Sequence, residues 1–278
     1  MILLLGASGQ LGTACRRLLG AQAVPLTRRE LDFSDPTAIR PALAGYQPEA
    51  IINCAAYTAV DRAEDEEELA HRVNALAVGE LAGWAAERQV PLVTFSTDYV
   101  FDGESDRPYV ESDTPHPLNA YGRTKLAGER LARAAWLETL VIRSSWIISG
   151  THPNFVATIL RKAREGPVRV VDDQQGIPTV AADLAAAGLQ ALRKGVSGLL
   201  HLTNQGPTTW FGLARKAVEL AGLDPELVQP CSSDEYPTQA RRPAYSVLGS
   251  ERRDQLALEG LPAWEESLPG LVEELLIR

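Results

Sequence analysis

Between residues 1 and 146, short apolar runs alternate with helix-length segments about six times. The runs cover Ile2–Leu5, Ala23–Leu26, Ala50–Ala56, Val90–Thr97 and Thr139–Trp146. They are largely apolar at consecutive positions, as expected of strands buried on both faces of a parallel sheet. Strand–helix alternation of this kind predicts an α/β chain with a doubly wound parallel sheet and helices on both faces. Ligands of such sheets bind outside the carboxyl ends of the strands. Five segments fall at those ends: Gly6–Gly12, Thr27–Arg29, Ala55–Thr58, Thr97–Tyr99 and Trp146. Their convergence on one edge predicts a ligand cleft more strongly than any one of them does.

The first of these segments, Gly6-Ala7-Ser8-Gly9-Gln10-Leu11-Gly12, joins a strand to a helix reaching about Leu19. Glycines there let the backbone turn tightly and approach a pyrophosphate, whose charge suits the helix N-terminus. The expected arrangement is a Rossmann-type one. The spacing Gly-x-x-Gly-x-x-Gly differs from the commoner Gly-x-Gly-x-x-Gly, so the turn alone is equally compatible with a packing role. Rossmann domains that prefer NAD often place Asp or Glu after the second strand to hold the ribose. This chain has Thr27-Arg28-Arg29 there. Arg28 suits the 2′-phosphate of NADPH, with NADH as the alternative donor and a solvated basic turn as the competing reading. Asp32 and Phe33 follow where an adenine would lie, and Asp35 and Pro36 read as the N-cap and first residue of a helix.

The fourth segment ends a buried strand in Ser96-Thr97-Asp98-Tyr99, and a helix starts near Tyr121 and runs to about Ala135. Tyr121 and Lys125 are four residues apart, so they share one helix face. A fixed ammonium beside a phenol lowers the phenol's pKa toward the working pH, where general acid catalysis is most effective. Thr97 stands where its hydroxyl can bond the same substrate oxygen. Tyr-x-x-x-Lys also arises by chance in many helices; the dinucleotide-type turn upstream gives it weight.

Past Trp146 the pattern loosens. A helix opens at Asn154-Phe155, a strand covers Val168–Val171, and an Ala-rich helix covers about Val180–Leu192. A strand at Gly198–Leu202 and helices at Trp210–Leu220 and Pro262–Ile277 complete the expectation. Residues 147–278 are therefore expected to form mainly a smaller C-terminal α+β substrate lobe, with some segments returning to the main sheet of residues 1–146. Glu64–Glu68 reads as a solvated helix start without chemistry. Asn74, inside an apolar-patterned helix, needs a partner, whether to brace the site or as a plain core hydrogen bond.

Bulk properties remove several classes. Lys and Arg number 27 against 36 Asp and Glu, a net −9 with no basic tract, which argues against nucleic acid. No run of roughly 18 apolar residues occurs, so no membrane span is expected. The opening Met1–Gly6 reads as a first strand, not a signal peptide. Cys15, Cys54 and Cys231 are far apart and odd in number, which fits thiols of a reducing, cytoplasmic compartment. His71, His116, His152 and His201 are scattered, and no metal constellation is visible.

The strand threonine, the helical Tyr-x-x-x-Lys and the upstream glycine turn together resemble the short-chain dehydrogenase/reductase superfamily, in its extended branch acting on nucleotide sugars. Ser96–Gly103, Ala55–Asp61, Asn154-Phe155, the Asp173-Gln174 to Pro178-Thr179 loop and Ala240-Arg241-Arg242-Pro243 resemble the dTDP-4-dehydrorhamnose reductase family. These matches span almost the whole chain. The resemblance implies that Gly9, Gln10 and Leu11, within the Gly6–Gly12 turn, bind the cofactor pyrophosphate. It implies Asp32 and Phe33 at the adenosine end and Ala56, Tyr57 and Thr58 along the middle of the dinucleotide. Tyr121 would donate the proton, Lys125 would tune it and hold the nicotinamide ribose, and Thr97 would orient the keto oxygen. Asp98 and Trp146 would contact the sugar, with Tyr99 and Asn154 as further substrate residues; Arg241 or Arg242 suits the diphosphate of a dTDP-sugar. Some relatives bind magnesium at a dimer interface through acidic side chains. The aligned position here is Ala14, so no metal is carried over, while a homodimer stays open.

The implied reaction is reduction of the 4-keto group of dTDP-4-dehydro-6-deoxy-L-mannose to dTDP-L-rhamnose. An epimerase or 4,6-dehydratase of the same fold is the nearest alternative. Dehydratase relatives usually carry Asp-Glu after the strand threonine; Asp98-Tyr99 stands here and favours simple reduction. A non-catalytic regulatory subunit, as the fold supplies to methionine adenosyltransferase, is the alternative from another class.

Overall fold

The computed structural model describes residues 1–277. In the first half the apolar runs become β1 (Ile2–Leu5), β2 (Ala23–Leu26), β3 (Ala50–Asn53), β4 (Leu92–Thr97) and β5 (Leu140–Ser144). Between them lie α1 (Gln10–Leu19), α2 (Ile39–Leu43), α3 (Glu67–His71), α4 (Ala77–Arg88) and α5 (Ala120–Ala135). In the second half β6 (Ile147–Ile148), α6 (Phe155–Glu165), β7 (Val168–Val171), β8 (Gln175–Gly176), β9 (Thr179–Val180) and α7 (Ala181–Arg193) follow. Then come β10 (Gly198–His201), β11 (Thr208–Thr209), α8 (Trp210–Leu220), β12 (Val228–Cys231) and α9 (Trp264–Leu276).

Six strands form one parallel sheet in the order β10-β5-β4-β3-β1-β2. Strand residues alternate between faces, and both faces are covered. Leu3, Leu5, Ile51 and Leu92 pack with Leu81 and Trp84 of α4 in one core. Leu4, Ile52, Val93 and Ile142 pack with Leu11 and Cys15 of α1 and Leu184 and Leu189 of α7 in the other. The unbroken apolar character of the runs follows from this double burial. β10 and the helix before it come from beyond residue 146 and close the sheet beside β5. The strand order reverses between β1 and β3, the position where open α/β sheets leave a crevice at their carboxyl edge.

The second lobe has its own core, in which Val156, Ile159 and Leu160 of α6 meet Leu213 and Val218 of α8 and Leu268 and Val272 of α9. Its strands pair two by two: β6 with β9, β7 with β12, and β8 with β11. Among the described residues, no helix is long and apolar enough to cross a membrane.

Candidate active site

A cleft of about 730 Å³ lies at the strand carboxyl ends, between the sheet and the second lobe. Gly9, Gln10 and Leu11 form one end of it. The turn there is held by sterics. Gly6 has φ +68, and a Cβ on it would lie 2.5 Å from the Ala55 nitrogen, so the turn after β1 can lie against the chain leaving β3 only because this residue is glycine. Gly9 is the N-cap of α1 and supplies no side-chain bond to the helix's first N–H groups. Those donors face a crevice and suit an anion. Ala56 and Thr58, after β3, continue the same wall.

Thr97, Asp98 and Tyr99 from the end of β4 and Tyr121 and Lys125 from α5 form the centre. Thr97 and Ser144 face each other in the β4–β5 register, which fixes the threonine on the sheet. Its Oγ1 accepts the Tyr99 N–H (3.1 Å) and donates to Asp98 Oδ1 (3.0 Å). Asn119 caps α5 by accepting the Gly122 N–H (2.8 Å). Lys125 Nζ donates to the Phe95 carbonyl (2.6 Å) and so ties α5 to β4. One turn further, Glu129 makes a buried two-pronged pair with Arg143 of β5 (2.9 and 2.7 Å). Tyr121 is half-buried and meets the Tyr99 ring edge to face, 6.1 Å between centroids.

The electrostatics correct one expectation. Burial pushes the Tyr121 phenol up to about 12, with the Thr97 hydroxyl pulling the other way and the Asp98 charge adding to the rise. Lys125 is not what sets it; burial pushes Lys125 itself down to about 8, against the opposing effect of Glu129. A buried ammonium bonded to a strand carbonyl is spent on anchoring the helix, so desolvation wins over the charge expected to lower the phenol. Burial likewise raises the Asp98 carboxyl to about 6, partly offset by the Ser246 and Thr97 hydroxyls.

The opposite wall comes from the second lobe. Trp146 has φ +46 and lies against Gly176, where a Cβ would come within 2.6 Å of its ring. Its indole stacks on that of Trp210 at 3.6 Å and 9°. Asn154 caps α6 through the Ala157 N–H (3.2 Å) and donates to the Ser149 and His152 carbonyls. Gln10 crosses the cleft, donating to the Ile147 carbonyl (3.3 Å) and accepting from Ser149 Oγ (2.9 Å). The glycine turn and the second lobe are thus tied at one end of the cleft.

Several positions lie elsewhere. Gly6 and Gly12 act beneath the turn: a Cβ on Gly12 would lie 2.2 Å from the Gly6 oxygen. Arg28 and Asp32 are exposed beyond β2, and Asp32 accepts the Ser34 N–H. The Phe33 side chain is in the core, not on the lip. Tyr57 is buried and its hydroxyl donates to Glu66 (2.6 Å). The Arg241 side chain is exposed, and only its carbonyl is engaged, by Asn119 (2.9 Å). Arg242, its neighbour, pairs with Asp61 and lines a second cavity of about 290 Å³ together with Tyr99, Lys162 and Arg169.

The sequence also hid some supports. Glu64, read as solvated, accepts the Ala120 N–H (2.8 Å) at the start of α5, and Glu67 grips Arg123 on that helix. Asn74 sits in a π-helical turn, Arg72–Leu76, between α3 and α4. It accepts the Tyr57 N–H (2.9 Å) and donates to the Tyr57 carbonyl (3.0 Å) and Thr124 Oγ1 (3.1 Å). That joins the loop after β3 to the helix of Tyr121 and Lys125. The signal in the sequence was a polar residue inside an apolar pattern; the π-turn, which breaks the 3.6-residue period locally, came with the structure.

The family model described as the RmlD substrate binding domain matches residues 1–277. A dTDP-4-dehydrorhamnose reductase of Mycolicibacterium smegmatis is 43% identical, over 98% of this chain and 84% of its own. A probable dTDP-4,6-dihydroxy-2-methyloxan-3-one 4-ketoreductase of Streptomyces antibioticus is 42% identical, over 96% of this chain and 92% of its own. The crystal structure of dTDP-4-dehydrorhamnose reductase from Bacillus anthracis in complex with NADP superposes with a TM-score of 0.94 at 33% identity, covering 98% of both chains. With a parallel sheet, a glycine turn at its switch point and a Thr–Tyr–Lys group at its edge, the chain belongs to the dTDP-4-dehydrorhamnose reductase family.

Proposed function

We propose that the chain is an NADPH-dependent oxidoreductase that reduces the 4-keto group of dTDP-4-dehydro-6-deoxy-L-mannose to dTDP-L-rhamnose, with Tyr121 as proton donor. The observation that carries the reading is one cleft holding Thr97, Tyr121 and Lys125 beside an uncapped helix N-terminus. NADPH fits the residues present. The free N–H groups of Gln10, Leu11 and Gly12 suit its pyrophosphate, small Ala56 leaves room beside β3, and Arg28 suits its 2′-phosphate, with NADH as the weaker alternative. When bound, it supplies the hydride.

The chain's own groups do the rest. The Thr97 hydroxyl orients the keto oxygen, and the Tyr121 phenol gives it a proton as negative charge develops there. A phenol held high by burial stays protonated through neutral pH, so the acid is fully loaded before each turnover. Lys125 holds α5 in register with β4 and offers its remaining N–H bonds to the nicotinamide ribose. Asp98, Tyr99 and the stacked Trp146 and Trp210 bound the sugar, while Lys162, with Arg169 and Arg242 once they exchange their Glu235 and Asp61 partners, offers the adjoining cavity the donors that a nucleoside diphosphate requires. On this reading residues 147–278 mainly supply substrate recognition, and the site serves a cytoplasmic pool of dTDP-sugar.

The test is oxidation of NADPH, and separately NADH, with dTDP-4-dehydrorhamnose. Turnover by the wild type and collapse in Tyr121→Phe support the reaction and the acid together. Absence of turnover with either donor overturns the assignment.

A further inference from the structure

The Thr97 hydroxyl has one proton to donate and two lone pairs. In the structure one lone pair takes the Tyr99 N–H and the proton goes to Asp98 Oδ1. The hydroxyl also lies beside the Tyr121 phenol, and it stabilises the phenolate only when its proton points there instead of at Asp98. With Asp98 ionised, therefore, Thr97 has nothing left to donate to a keto oxygen. A proton on Asp98 Oδ1 reverses the bond. Thr97 then accepts from both Tyr99 and Asp98, and its own proton must point toward Tyr121 or the substrate oxygen.

The surroundings favour that protonated form. Asp98 is 2% exposed, and its Oδ2 is buried with no hydrogen-bond partner. Thr97, Tyr99 and Ser246 act on it directly, Tyr121 and Lys125 of α5 line the same cleft, and Arg242 of the C-terminal loop acts on the neighbouring Tyr99. Lys125 is committed to Phe95 and Arg242 to Asp61, so no cation neutralises the carboxylate. A buried carboxylate without a cation is far costlier than a neutral acid.

We propose that Asp98 is the proton reservoir of the site: its protonated carboxyl turns the Thr97 hydroxyl toward the reacting oxygen and reloads Tyr121 through it. The inference rests on the reductase reading above. The carbonyl carbon gains the hydride with its two electrons, and the carbonyl oxygen gains the Tyr121 proton. The phenolate takes the Thr97 proton, Thr97 takes the Asp98 proton, and the carboxylate left behind is reprotonated by solvent once product leaves. Asp98 acts through Thr97 and is a positioning and relay residue, distinct from a group that merely contacts the sugar.

The experiment is single-turnover reduction of dTDP-4-dehydrorhamnose by NADPH as a function of pH, for wild type, Asp98→Asn and Thr97→Val. In the wild type the rate is expected to fall with rising pH from a value near the Asp98 titration at about 6, then level off. Asp98→Asn, whose amide N–H donates to Thr97 Oγ1 as the protonated carboxyl does, should lose that limb and stay near the wild-type acid maximum in a single turnover, the wild-type plateau lying roughly 100-fold below, while its steady-state rate, which needs Tyr121 reloaded, falls. Thr97→Val should lose the same limb, while Thr97→Ser should restore it. A merely structural or sugar-contacting Asp98 would lower the rate equally at every pH and leave the limb in place. Retention of the limb in Asp98→Asn, or its absence in the wild type, overturns the inference while leaving the reductase reading intact. A wild type that does not oxidise NADPH with this substrate overturns the reading beneath it. NADPH affinity and circular dichroism of each variant separate loss of the relay from loss of fold.

Discussion

The two walls of the cleft are built in contrasting ways. On the sheet side, Thr97 ends a six-residue strand with neighbours on both sides, and Lys125 is bonded into that strand. Thr97, Asp98 and Lys125 are each less than one-tenth exposed. On the lobe side the strands nearest the cleft are two residues long, and the wall is a half-buried stack of Trp146 on Trp210. Proton chemistry tolerates little displacement, and the proposed function places it where register, helix caps and an ion pair over-determine position. On the proposed function, recognition of a sugar nucleotide needs area and shape, and it would fall to the side where apolar faces are held by loops and caps.

If that division is right, the largest effect belongs to the rigid wall. Tyr121→Phe removes the acid without changing the ring packed on Tyr99. The rate constant of reduction should fall roughly 100- to 10,000-fold, with NADPH affinity unchanged by titration of cofactor fluorescence. A loss of affinity of the same size would mean that Tyr121 holds the cofactor more than it donates a proton.

The same wall also stores instability. The Asp98 carboxyl stands at about 6 against an ordinary 3.8, so the folded state binds a proton that the unfolded state has already released. The contribution of Asp98 to stability is therefore fully present below about 4, is lost as pH rises through the window from about 4 to 6, and stays absent above it. Asp98→Asn should remove this cost and raise stability at pH 8 by up to about 3 kcal/mol, read from denaturant melts, while its steady-state turnover slows. A variant that is both slower and less stable would show that the carboxylate is better solvated than its burial indicates.

On the flexible wall the expected effects are smaller and of another kind. Trp210→Ala removes the partner of Trp146 and leaves Thr97, Tyr121 and Lys125 untouched. Loss of an aromatic pair is worth about 0.5–1.5 kcal/mol beyond area, so KM for the sugar nucleotide should rise roughly 2- to 10-fold with kcat nearly unchanged. A fall in kcat instead would show that the stack helps place the keto carbon, and the two walls would not divide the work as described.

The contrast also explains what was legible in the sequence. β1 to β5 announce themselves by largely unbroken apolar runs, and the α5 helix by the segment that opens near Tyr121. Thr97, Tyr121 and Lys125 follow from where those elements end. Trp210–Leu220 was equally plain, since an amphipathic helix carries its own signal. The two-residue strands β6, β8, β9 and β11 are shorter than any period that could reveal them. The Trp146–Trp210 stack joins residues with no shared element, and Asp61 meets Arg242 across 181 positions of sequence. Phe33 and Arg241 show the complementary error: each was placed by its neighbours along the chain, while its side chain answers to the core in one case and to solvent in the other. The sign of the Tyr121 shift escaped for the same reason, because burial is a property of the fold and Tyr-x-x-x-Lys is not.

Arg28 lies on neither wall. It is exposed beyond β2, close enough to Asp32 to hold that carboxyl below its ordinary value after the Ser34 N–H has done most of the lowering. A guanidinium in water, with a carboxylate nearby, gives a 2′-phosphate only a screened attraction of about 0.2–1 kcal/mol. Arg28→Ala should then reduce the preference for NADPH over NADH by less than about fivefold, and the change should shrink as salt is added. The ratio of kcat/KM for the two donors, taken at low and high ionic strength, measures this directly. A drop of two orders of magnitude that salt does not erase would mean that the guanidinium grips the phosphate as a desolvated fork. The lip beyond β2 would then close over the cofactor and become a third ordered wall of the site.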